Sequence, residues 1–129
     1  MNILIIDDSE FKIAPVKVIL DKYPDINLDV AFARNSGLRK LLDNSYDFLI
    51  LDMCFPVFEG ESPEDIKEGL SLLDYISRKK INIPTIIYTA EPKNLDMEDI
   101  MKKYPNVLGC LDSSYYIGTD LLSFLQIKK

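Results

Sequence analysis

Apolar positions along the chain follow two rhythms. Short unbroken apolar runs at residues 3–6 and 48–51 suit strands covered on both faces, and residues 83–88, with Pro84 early on, read as a fourth strand. Between them, apolar residues recur at helical spacing: Ile13, Val16, Ile19, Leu20 and Tyr23, then Leu38, Leu41 and Leu42, then Leu70, Leu72, Leu73 and Ile76. The first of these patterns predicts a helix over 11–23, with Pro15 tolerable in its first turn. Asn35 and Ser36 are expected to cap the second helix, and Arg78, Lys79 and Lys80 suit the negative end of the third.

Leu28, Val30 and Phe32 alternate with Asp29 and Ala31, the signature of an outer strand with one face in solvent. Beyond the fourth strand, a helix is expected to turn Leu95, Ile100 and Met101 inward, followed by a strand over 107–111. Leu121, Leu122, Phe124, Leu125 and Ile127 make a final amphipathic helix. Strands thus alternate with helices throughout, which predicts an α/β fold with a five-stranded parallel sheet, right-handed crossovers and strand order 2-1-3-4-5. Residues 1–129 read as one domain.

Three strands end in polar residues with chemical potential. Residues 3–6 run into Asp7, Asp8 and Ser9; residues 48–51 run into Asp52, with Pro56 four residues later; the fourth strand runs into Thr89. In the expected order the first and third strands are neighbours, about 5 Å apart, so Asp7, Asp8 and Asp52 converge at the edge where open α/β sheets bind ligands. Three clustered carboxylates repel one another unless a divalent cation sits among them, and an oxygen-only site suits Mg²⁺. The backbone carbonyl of Cys54 can complete the metal shell, Asp52 is then a nucleophile for phosphoryl transfer, and Thr89 offers its hydroxyl to a phosphoryl oxygen.

Composition narrows the chemistry. Fifteen Lys and Arg against 21 Asp and Glu give a net charge of −6, which argues against direct nucleic-acid binding. The chain has no His, so it holds neither a Ser-His-Asp triad nor a His-ligated zinc and carries no phosphohistidine of its own. Cys54 and Cys110 lack metal-ligand spacing and read as reduced thiols of a cytoplasmic protein, and no segment is apolar enough to span a membrane. A dehalogenase-like phosphatase needs a second acid two residues after its nucleophile; Cys54 stands there instead.

ILIIDDSE, FLILDMCFP and IPTIIYTAEPKN together resemble the receiver domains of two-component response regulators, the CheY-like family, over nearly the whole chain. The resemblance implies a flavodoxin-like (βα)5 three-layer sandwich, with Asp52 as phosphoacceptor and Thr89 as switch hydroxyl. It makes Asp7, Asp8, Asp52 and the Cys54 carbonyl the Mg²⁺ ligands. The implied partners are a sensor histidine kinase or phosphotransfer protein upstream, a downstream protein or effector domain, and a phosphorylation-dependent dimer. Such a module is not an enzyme beyond phosphoryl acceptance and slow self-dephosphorylation. Asp8 has a plainer reading as the cap of the first helix, and Thr89 as an ordinary strand-end hydroxyl.

Two departures from the family pattern bear on function. Ser113 and Ser114 stand where the family carries Lys and Pro at the end of the fifth strand, with no nearby Lys as an obvious replacement; Cys110 stands in place of the switch aromatic, unless Tyr115 or Tyr116 supplies one. The acidic loop at 55–68, with Glu59, Glu61, Glu64, Asp65 and Glu68, is longer than the usual connection and borders the site as a lid, a docking element or a solvated insertion. These departures motivate an alternative, a pseudo-receiver that binds proteins without a phosphorylation switch.

Overall fold

Strand order and layering follow from the two rhythms. The computed structural model describes residues 1–53 and 67–126. Within them, β1 (Asn2–Ile6), β2 (Asn27–Ala31), β3 (Phe48–Leu51), β4 (Thr85–Thr89) and β5 (Val107–Asp112) form one sheet in the order β2-β1-β3-β4-β5. All four pairings are parallel, as expected for the flavodoxin-like arrangement. The helices are α1 (Glu10–Leu20), α2 (Arg34–Asp43), α3 (Lys67–Arg78), α4 (Met97–Lys103) and α5 (Gly118–Phe124), with a short 3₁₀ turn at Pro92–Asn94.

The unbroken apolar runs are buried on both sides. Leu4, Ile6, Leu49, Leu51 and Ile87 face a core layer closed by Leu41 of α2, Leu72, Leu73 and Ile76 of α3 and Ile100 of α4. Their neighbours Ile3, Ile5, Ile50, Ile86 and Tyr88 face the opposite layer, closed by Ile13, Val16, Ile19 and Leu20 of α1 and by Leu121 and Leu122 of α5. Period-2 alternation therefore splits each central strand between two helical layers.

Several local expectations need correction. Pro15 is the sixth residue of α1, beyond the first turn, so the Phe11 carbonyl has no amide partner at that position. The cap of α1 is Ser9, whose Oγ accepts from the Lys12 amide, and not Asp8. In α2, Asn35 and Ser36 lie inside the first turn; Ala33 occupies the cap without a side-chain bond, and Ser36 Oγ donates to its carbonyl instead. Leu42 and Met101 face solvent, while Tyr104 takes up the burial expected of Met101. The third helix begins at Lys67, so Glu68 is helical and not part of a loop. Its end is set without glycine: Lys80 adopts φ 56°, and the Ile81 amide reaches back to the Ile76 carbonyl. Residues 54–66, which include Cys54 and most of the acidic loop, and Ile127 lie outside the described residues.

The outer strand β2 departs from its alternation as well. Ala31 is buried under α2, and Asp29 is engaged by Lys40 Nζ at 2.9 Å and by the Tyr46 hydroxyl at 2.6 Å. The face predicted to be wet is thus only partly open: α2 buries Ala31, while Asp29 stays half-exposed. Replacing Tyr46 by Phe removes one hydrogen bond to a half-exposed carboxylate that keeps its lysine, so a loss of about 1 kcal/mol is expected by urea denaturation.

Candidate functional site

The carboxyl ends of β1 and β3 meet because those strands pair in register, Ile6 opposite Leu51. Asp7 and Asp52 are the next residues on each. Asp7 is fully buried, Asp52 nearly so, and Asp8 is exposed. One carboxylate oxygen from each of the three lies within 4.8 Å of the other two. Sequence and structure therefore agree on this cluster.

The carboxylates are oriented from their own backbones. Asp7 Oδ1 accepts from the Ser9 amide at 2.9 Å, and Asp52 Oδ1 accepts from the Met53 amide at 2.9 Å. Asp7 Oδ2 is buried and makes no hydrogen bond of good geometry. Burial, then the charge of Asp52, pushes the Asp7 carboxyl up to about pKa 6 against the pull of Lys12.

Lys12 is the residue that sequence reasoning missed. Its ammonium lies 2.9 Å from Asp52 Oδ1, 3.0 Å from Asp7 Oδ2 and 3.1 Å from the Tyr88 carbonyl. The contact to Asp7 is an ion pair by distance although its angle falls outside hydrogen-bonding geometry, and at this range charge attraction still operates. Burial alone lowers the Lys12 pKa, but Asp52 and then Asp7 more than offset it and hold the ammonium above its ordinary value. Among the described residues, no lysine near Ser113 in sequence is found at the site, in line with expectation; the ammonium that reaches Asp52 comes instead from α1, far away in sequence. One signal was legible beforehand. A lysine in the first turn of a helix sits at the positive end of the macrodipole, an unfavourable place unless anions face it.

Tyr88 binds Lys12 from both sides of the peptide. Its hydroxyl donates to the Lys12 carbonyl at 2.8 Å, its own carbonyl takes the ammonium, and the ring centroid lies 5.1 Å from Nζ. Burial and the two carboxylates push the Tyr88 phenol up to about pKa 12.

Thr89 closes β4, the strand beside β3, and its Oγ1 accepts from the Glu91 amide at 3.3 Å. Ser113 meets it through the backbone, its amide donating to the Thr89 carbonyl at 2.8 Å. Cys110 carries a free thiol pushed up to about pKa 11, by burial first and then by Asp112. Tyr115 and Tyr116 are 75% and 77% exposed, so neither fills the inward place of the switch aromatic. Glu68, the described end of the acidic segment, pairs with Arg34 at 3.4 Å across the starts of α3 and α2.

The donor set fits Mg²⁺. Three carboxylates each bring a hard oxygen within reach of the others, the buried Asp7 Oδ2 lacks a hydrogen bond of good geometry, and an octahedral ion with bonds of about 2.1 Å brings its ligands roughly 3 to 4 Å apart. A modest closure of the cluster, or one water-mediated ligand, meets that demand. Cys54 lies outside the described residues, so its carbonyl cannot be placed.

Comparison with known proteins supports the same fold. No protein-family model matches the chain. Over 80 residues, 60% of this chain, it is 34% identical to the uncharacterized protein y4jS of Sinorhizobium fredii, and it spans only 19% of that protein's length. Among solved structures it is similar to the receiver domain of the Francisella response regulator 1452, with 25% identity, a TM-score of 0.69, and coverage of 97% of this chain and 93% of the other. It is also similar to the non-phosphorylated receiver domain of the stress response regulator RcsB from Escherichia coli, at 20% identity and a TM-score of 0.75, covering 98% and 92%. A signal receiver domain of an HD domain-containing protein from Pseudomonas fluorescens Pf-5 gives 20% identity and a TM-score of 0.72, covering 97% and 84%. This chain has the fold of response regulator receiver domains, the CheY-like fold.

Proposed function

We propose that the chain is a two-component signalling receiver that accepts a phosphoryl group on Asp52 from a partner histidine kinase or phosphotransfer protein. The observation that carries this reading is the convergence of Asp7, Asp8 and Asp52 at the carboxyl edge of a receiver-fold sheet. An Asp52 oxygen forms the new bond to phosphorus as the bond from phosphorus to the donor's imidazole nitrogen, or to the oxygen of an acyl phosphate, breaks. The leaving group departs with the bonding pair. Mg²⁺ held by Asp7, Asp8, Asp52 and the Cys54 carbonyl supplies charge neutralisation for the phosphoryl oxygens. Thr89 is the switch hydroxyl that meets one of them.

The module signals and does not turn over a substrate, apart from slow self-dephosphorylation. It acts in the cytoplasm, a reading consistent with the finding that no helix among the described residues is long and apolar enough to cross a membrane. Its net charge of −6 disfavours nucleic acid, so output runs through a protein partner, an effector domain or a phosphorylation-dependent dimer.

Incubation with acetyl phosphate and Mg²⁺ is expected to add one phosphoryl mass to the intact chain, and none to Asp52→Asn. Absence of the added mass in the wild type, or its persistence in the variant, refutes the assignment.

A second reading, the pseudo-receiver, is favoured by one feature: the Lys12 ammonium already bridges Asp7 and Asp52, so the acidic cluster is partly neutralised from within. Beryllofluoride separates the two. Amide shifts through α4 and β5 on its addition favour a phosphorylation switch; an unchanged spectrum favours a module that signals by contact alone.

A further inference from the structure

We propose that Lys12, carried by α1, is the phosphoryl-binding cation of the Asp52 site, doing from the first helix what the fifth strand, with Ser113 and Asp112, has no ammonium to do. This inference rests on the phosphoacceptor reading above. Three observations build it. The side chain is 17% exposed, and its ammonium lies 2.9–3.1 Å from three oxygens, of Asp52, Asp7 and the Tyr88 carbonyl. Its backbone is fixed by Tyr88, itself 1% exposed, whose hydroxyl holds the Lys12 carbonyl. It also sits three residues after the Ser9 cap, where the helix dipole opposes a cation, so Asp7 and Asp52 are what hold it in place.

An incoming phosphoryl group on Asp52 brings oxygens that carry more negative charge than the carboxylate they replace. The ammonium exchanges its Asp52 contact for a charge-assisted hydrogen bond to one of them, with its proton retained. Because the cation belongs to α1, the start of that helix feels the change. Before phosphorylation the same ammonium competes with a metal ion for Asp7 and Asp52. Loss of Lys12 is therefore expected to weaken phosphoryl binding while leaving Mg²⁺ binding intact or tighter, a split that a merely structural lysine does not produce.

Wild type, Lys12→Gln and Lys12→Arg are compared in three measurements: Mg²⁺ affinity by tyrosine fluorescence, beryllofluoride affinity in saturating Mg²⁺, and the rate of mass gain from acetyl phosphate. Lys12→Gln is expected to lose at least tenfold in beryllofluoride affinity and in phosphorylation rate, with Mg²⁺ affinity equal or higher. Lys12→Arg, which keeps the charge, is expected to stay within fivefold of wild type. Wild-type phosphorylation in Lys12→Gln, or a parallel fall in its Mg²⁺ affinity, overturns the role of Lys12 while leaving the phosphoacceptor reading standing. A wild-type chain that takes up no phosphoryl mass overturns both. Independently of how the variants fold, the Lys12 ammonium resonance of the wild type is expected to shift when beryllofluoride binds, and an unchanged resonance also overturns the proposal.

Discussion

Asp7→Asn is expected to stabilise the metal-free domain at neutral pH by up to about 3 kcal/mol, an unusual gain for a substitution in a buried site. Burial and the charge of Asp52 raise the Asp7 pKa from 3.8 to about 6, and Lys12 only partly opposes them. The folded protein therefore holds the Asp7 proton more tightly than the unfolded chain. Stability from this group is fully present below about pH 3.8 and is lost as pH rises through about 6. Above that pH the ionised carboxylate costs about 3 kcal/mol, taking 2.2 units at 1.36 kcal/mol each. Asparagine keeps an acceptor for the Ser9 amide and removes the charge. Urea denaturation in EDTA is expected to show the variant ahead of wild type at pH 7.5 and the gap nearly closed at pH 4. Saturating Mg²⁺ is expected to raise wild-type stability and leave the variant almost unmoved, because binding to the folded state alone stabilises it. A variant less stable than wild type at pH 7.5 would mean that the Lys12 ion pair outweighs the desolvation of Asp7.

The same balance explains what was and was not legible in the chain. The runs at 3–6 and 48–51 announce two-sided burial directly, because only a strand between two helical layers needs apolar residues at every position. Asp7, Asp8 and Asp52 were placeable because each follows such a run by one or two residues, and strand pairing then fixes their proximity. Lys12 was not placeable in this way. Its reach to Asp52 depends on the direction of α1 across the sheet and on four methylenes of side chain, neither of which leaves a period in the sequence. The β2 face misled for a related reason: alternation shows that two faces differ, but only the docking of α2 decides that Ala31 is buried and that Asp29 is engaged by Lys40. The caps show competition among good candidates. Ser9 and Asp8 are both suitable, and Asp8 stays exposed as the outer member of the acidic cluster while Ser9 takes the Lys12 amide.

Gly69→Ala is expected to destabilise the domain by about 2 kcal/mol and to weaken Mg²⁺ binding with it. Alanine has the better helix propensity by about 1 kcal/mol, so in an exposed helix the same change is favourable. Here the third residue of α3 lies against the backbone that follows Asp52. A Cβ on Gly69 falls 2.6 Å from Met53 Cα and 2.7 Å from its carbonyl oxygen, and the Gly69 amide donates to that oxygen at 3.2 Å. Backbone cannot rotate out of the way, and overpacking of this kind costs about 1–3 kcal/mol or more, which outweighs the propensity gain. Gly37 offers the control: a Cβ there meets only the Ile6 side chain, at 2.5 Å from its terminal methyl, and that side chain has rotamers to spend. Gly37→Ala is therefore expected to lose less stability and to leave Mg²⁺ affinity unchanged, whereas Gly69→Ala either lifts α3 from the sheet edge or pushes Met53, and with it Asp52, out of line with Asp7. Denaturation and Mg²⁺ titration of the two variants side by side test this: equal losses in both would show that the Gly69 contact does not support the acidic site.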